Sequence, residues 1–172
     1  MRLTSRTLTF ALICLALAGA AGAQDESQIA NLTKQKQAVA EIREIGMAFI
    51  GWLADQVSTD DPADISAIAR LDGWTVRRDS EEPNTYLRIS HAALSELLVP
   101  VYLDSLPSTD PWGGSYEYSL NENLLGNQVL AIRSPGGDGV FETDDYVSGS
   151  FPSQEGGHDI VWCDGYFARW PG

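Results

Sequence analysis

The sequence predicts an α+β domain in which one long N-terminal amphipathic helix packs on a small antiparallel sheet. Two features carry this reading. From Ser27 to Gln56 there is no proline, and Ile29, Leu32, Val39, Ile42, Ile45, Phe49 and Leu53 recur at three- and four-residue steps, the spacing of a helix with one apolar face. From Gly73 onward the pattern shortens to runs such as WTV, YLRI, YEYSL, QVLAIRS, IVW and YFARW, each bounded by turn-forming residues, as strands are.

Within the helix the stretch IGMAFIGWLA is apolar nearly all round, which marks it as the part most fully covered by other elements. Pro62 after Asp61 suits a short second helix, PADISAIARL, and Ser90 caps a third, HAALSELLV, which ends at Pro100. The glycine and asparagines of NENLLGN join two strands, and Asp164 and Gly165 form a two-residue turn between the last two.

Ahead of the helix stand Arg2 and Arg6, an apolar run from Leu8 to Ala18, and the small-residue stretch AGAAGA. These are the three parts of a secretory signal, and the run is shorter than the roughly 20 residues that span a bilayer. Cleavage is expected after Ala23, which leaves residues 24–172 as one domain in the periplasm or outside the cell. Losing Arg2 and Arg6 takes the formal charge from −13 to −15. So acidic a surface repels nucleic acid and anionic lipid, and makes metal cations or proteins the natural partners. Cys14 departs with the signal, so Cys163 is left without an internal disulfide partner and reads as a structural thiol.

The segment SPGGDGVFETDDYV concentrates hard oxygen donors. Asp138, Asp144 and Asp145 supply carboxylates, and Gly136, Gly137 and Gly139 allow a tight curl. A plain solvated turn uses the same residues. The DxDxDG spacing of an EF-hand is absent. So are the GxSxG elbow and the HExxH helix. His91 and His158 are the only histidines, His91 sits beside a helix cap, and Asp110 with Asp104 is better read as part of a DPWG turn than as a catalytic pair. No enzymatic activity is expected. Trp74, Trp112, Trp162 and Trp170 read mainly as packing residues, with Trp112 and Trp170 the candidates for an exposed platform.

Three stretches together resemble the periplasmic domain of the major pseudopilin of type II secretion: QAVAEIREIGMAFIGWLADQ, LVPVYLDSLPSTDPWGGSYEYS and SPGGDGVFETDDYV. The resemblance implies a pilin-like fold, a calcium-binding loop and a structural role among envelope or secretion proteins. It makes Asp138 the surest ligand, adds a backbone carbonyl near Ser134, and places a later ligand at either Asp145 or Asp159. Family members carry an apolar stalk behind a short leader. Here no stalk follows the expected cleavage point, and the ending HDIVWCDGYFARWPG is longer than usual, so the purified mature chain is not expected to form pilus-like fibres. The function implied is a non-catalytic, exported interaction module; the alternative is a soluble glycan- or peptide-binding protein. Intact mass of the exported protein should correspond to a chain starting at Gln24, whereas full-length protein in membranes, resistant to carbonate extraction, would contradict the signal assignment.

Overall fold

The structure is a computed structural model that describes residues 6–59, 72–78, 82–121, 126 and 129–172, with side chains from Asp25 onward. Helix α1 runs from Arg6 to Val57 and includes the expected helical segment 27–56. The expected processing point after Ala23 lies inside it. The expected helix PADISAIARL falls outside the described residues. Among the described residues, no helix is long and apolar enough to cross a membrane.

Eight strands follow: β1 (Gly73–Arg77), β2 (Asn84–Ile89), β3 (Glu117–Leu120), β4 (Leu130–Ser134), β5 (Asp145–Val147), β6 (Gly149–Phe151), β7 (Ile160–Cys163) and β8 (Tyr166–Pro171), with α2 (His91–Leu98) between β2 and β3. They form one sheet in the order β5-β1-β2-β3-β4-β7-β8-β6. This corrects the expectation of a small antiparallel sheet beneath a helix in a pilin-like arrangement: the sheet is larger, mixed and nearly closed into a barrel. The source of the difference is the segment 145–151. Its two three-residue strands lie at opposite edges of the sheet yet are separated in the chain by Ser148 alone, so the backbone itself joins the edges. β5 runs parallel to β1 and β6 parallel to β8. DYV and GSF are too short to display a strand pattern.

Closure gives the central strands two covered faces. On β4, Leu130 and Ile132 face the helices, while Ala131 belongs to the barrel interior; on β7, Ile160 and Trp162 face outward and Val161 and Cys163 inward. Both strands are therefore buried at every residue, which explains why VLAIRS and IVW read as continuous apolar runs. The interior is filled by Trp74, Val76, Tyr86, Tyr146 and Ala168 with those inward residues. Burial pushes the Cys163 thiol well above its ordinary pKa, so it is an inert packing group.

Helix α1 lies on the outer face through Ala38, Ile42, Ile45, Phe49 and Trp52, each nearly or wholly buried. Only this stripe is covered. Met47 and Ile50 remain 58% and 38% exposed, so IGMAFIGWLA is not enclosed all round: a helix on the outside of a barrel meets the sheet along one line. α2 adds Leu94 and Leu98 to the same core, and Ser90 caps it by accepting from Ala93 N at 3.1 Å, a bond worth about 1 kcal/mol. The Asp164–Gly165 turn has φ of 50° and 98°, the positive values a tight two-residue hairpin needs.

At Gly46 the helix comes close to the sheet, and a Cβ there would lie within 2.5–2.8 Å of the Trp162 ring. Gly46→Ala improves helix propensity by about 1 kcal/mol, but the overlap with a buried indole costs about 1–3 kcal/mol. Urea unfolding should show a net loss of stability; a gain would mean that α1 does not seat on Trp162.

Candidate metal-binding loop

The chain leaves β4 at Ser134, turns through a single 3₁₀ turn at Gly136–Asp138 and exits at Gly139, with φ of 67° at Gly136 and 72° at Gly139. Segment 156–159 passes directly against it. Gly137 N donates to Gly156 O at 2.6 Å, and a Cβ at Gly136 would lie 2.4 Å from His158 O. The glycines are thus required by close contact between two backbones as well as by the turn. The DPWG turn braces the loop from beneath. Asp110, almost fully buried, accepts from Trp112 N and Gly114 N through Oδ1, and from the Ser134 hydroxyl at 2.6 Å through Oδ2. Trp112 Nε1 then donates to Asn31 Oδ1 on α1 at 3.1 Å.

The five residues expected as ligands divide into two groups. Ser134, Asp138 and Asp159 lie at the loop. The Ser134 hydroxyl is engaged with Asp110 and Gly136 N, which leaves its carbonyl as the group the resemblance offers. Asp138 Oδ1 accepts from Val140 N at 3.0 Å, while its Oδ2 approaches Gly157, and both residues border a cleft of about 530 Å³ shared with Asn31, Lys34 and Trp112. Asp159 is fully buried; its Oδ2 accepts from Glu142 N at 2.9 Å and from the Tyr146 hydroxyl, while Oδ1 has no hydrogen-bond partner among the described residues. Burial raises its pKa to about 6.

Asp144 and Asp145 are committed elsewhere. Asp144 Oδ1 accepts from Arg133 Nη2 at 2.8 Å and stands 3.6 Å from Arg88. Asp145 accepts from the Thr75 hydroxyl on β1, and its backbone N donates to Thr143 Oγ1. Among the described residues, no three His, Cys, Asp or Glu side chains converge as a metal-binding group. A cation at the loop would therefore combine Asp138 or Asp159 with carbonyl oxygens, a donor set of hard oxygens that fits calcium.

Sequence reasoning missed the residue that ties this region together. Arg133 is 1% exposed in the barrel interior. It donates to Glu117 through Nε and Nη2, to Thr143 O and the Tyr146 hydroxyl through Nη1, and to Asp144 through Nη2. The Phe141 and Trp74 rings lie 4.0 and 5.0 Å from its guanidinium carbon, close enough for favourable contact with a cation. A charged residue inside the apolar run VLAIRS was the available signal.

Comparison with protein-family models, curated proteins and solved structures finds no match to this chain.

Arg133→Met would leave the Thr143 carbonyl without its donor, while Glu117 and Asp144 keep Arg88, and should lower unfolding free energy by about 1–3 kcal/mol. Arg133→Lys, which keeps the charge but not the fork of donors, should recover less than half of that loss. Urea titrations of the three proteins decide it, and a loss below about 1 kcal/mol for the methionine variant would reduce the cluster to a surface ion pair.

Proposed function

We propose that this chain is a non-catalytic, exported interaction module of the cell envelope, associated with type II secretion, whose loop at 134–139 and 156–159 is stabilised by calcium. The observation that carries the calcium reading is a fully buried Asp159 whose Oδ1 is unpartnered among the described residues, next in the chain to the carbonyls of Gly156 and His158 that crowd Gly136 in the glycine loop. A carboxylate oxygen sealed from water without a donor is destabilising, and a cation is the partner that would remove the penalty. The same geometry favours Asp159 over Asp145 as the later ligand.

The interaction role is supported by how the three stretches that resemble the pseudopilin family meet in space. Tyr116 donates to Glu41 at 2.7 Å and Tyr102 to Asp55 at 2.5 Å, joining the helix to the segment that holds the DPWG turn. Ser134 joins that turn to the glycine loop. The stretches form one continuous structural unit, so an ion bound at the loop would stiffen the turn and the helix together.

Because calcium would bind the folded loop and scarcely the unfolded chain, stability should rise by about 2.7 kcal/mol at a hundredfold excess over the dissociation constant. Sites of this kind in extracellular modules bind at about 10⁻⁴–10⁻³ M. Thermal melts in calcium, magnesium and chelator should show a gain with calcium, less with magnesium, and none with calcium for Asp138→Ala or Asp159→Asn. Identical wild-type melts in calcium and chelator would return the loop to a plain turn.

A further inference from the structure

A second concavity lies on the other side of α1, against β8. Its volume is about 630 Å³, within the range of sites that hold a ligand. One wall is helical and carries Gln35, Lys36 and Arg43; the other carries Phe167, Trp170 and Pro171. Arg43 sits 5.7 Å above the Phe167 ring, and Trp170 is 38% exposed. In a chain with a formal charge of −13, none of the groove-lining side chains is acidic. Neither Lys36 nor Arg43 has an ion-pair partner among the described residues. The groove is thus a local reversal of the molecule's charge.

Gln35 supplies an independent sign of a ligand. It is 2% exposed and lines the groove; its Nε2 reaches Glu155 O at 3.4 Å, and its Oε1 has no hydrogen-bond partner among the described residues. A buried amide oxygen without a donor is destabilising until something supplies an N–H or O–H.

We propose that the groove between α1 and β8 binds an extended acidic peptide segment of a partner protein. From Leu32 to Arg43 the helical wall rises about 16 Å, the length of about five residues of extended chain. In an extended peptide alternate side chains point to opposite sides. Acidic residues then reach Lys36 and Arg43 while the intervening apolar residues lie on Phe167, Trp170 and Pro171. This rests on the reading of the chain as an interaction module and is independent of the calcium loop.

The test uses the full chain and a fluorescein-labelled heptapeptide of alternating glutamate and leucine, read by fluorescence anisotropy. Binding should saturate and weaken as salt rises, and a lysine–leucine peptide of the same length should bind at least about tenfold more weakly. Lys36→Glu combined with Arg43→Glu should weaken the glutamate peptide by about tenfold or more, and Trp170→Ala by about fivefold, without change in the melting temperature, since these side chains are exposed. Equal affinity in calcium and in chelator is expected, so failure of the calcium assignment would leave this result standing. Equal binding of the two peptides by the wild-type chain would overturn the proposal, even if the variants failed to fold. So would capture of polygalacturonate, dependent on Lys36 and Arg43, in place of the peptide, since that would make the groove a site for acidic sugars.

Discussion

A guanidinium can reside inside a barrel only if its donors are answered there, and Arg133 meets that condition with one carboxylate on β3, another at the start of the 144–151 segment, a carbonyl and a tyrosine hydroxyl. These bonds do more than satisfy a charge. They fix residues 143–146 against β3 and β4, so that β5 enters beside β1 and the chain can cross through Ser148 to reach β8 with β6. Tyr146, held by Arg133, donates onward to Asp159. The interior cation and the candidate ion site are thus linked by one tyrosine. A buried network of this kind is strongly destabilising when broken at one member, which makes it a constraint on the fold.

The helices and most strands were legible because each had a local signature: the 3.6-residue period of α1, the Ser90 cap of α2, the apolar runs of β4 and β7, and the Asp164–Gly165 turn. β5 and β6 were not, because three-residue strands have no period to read and their parallel partners lie tens of residues away in the chain. Without those two strands a nearly closed mixed sheet looks like a small antiparallel one. The error about IGMAFIGWLA has a related origin: composition indicates that a helix is apolar, but only the shape of its partner decides how much of its circumference is covered.

At the candidate site, the turn of the glycine loop was legible from spacing, whereas the positions of the neighbouring acids were not. Asp144 and Asp145 stand next to Asp138 in the sequence but are drawn to Arg133 and Thr75 by the sheet. Asp159 is distant in sequence and is carried to the loop by the pairing of Ser134 with Ile160. Proximity along the chain is a poor guide wherever a strand register sets proximity in space. The groove was invisible for the same reason, since its two walls come from α1 and from the last strand.

Tyr146, held by Arg133, bonds Asp159 beside the glycine loop, and the calcium assignment places the ion there. Crystals grown in millimolar calcium and measured for anomalous scattering test this most directly. One calcium peak is predicted at the glycine loop, within about 2.3–2.6 Å of a carboxylate oxygen of Asp138 or Asp159 and of loop carbonyl oxygens. A peak beside Asp144 or Asp145 instead, or none at the loop, would contradict it.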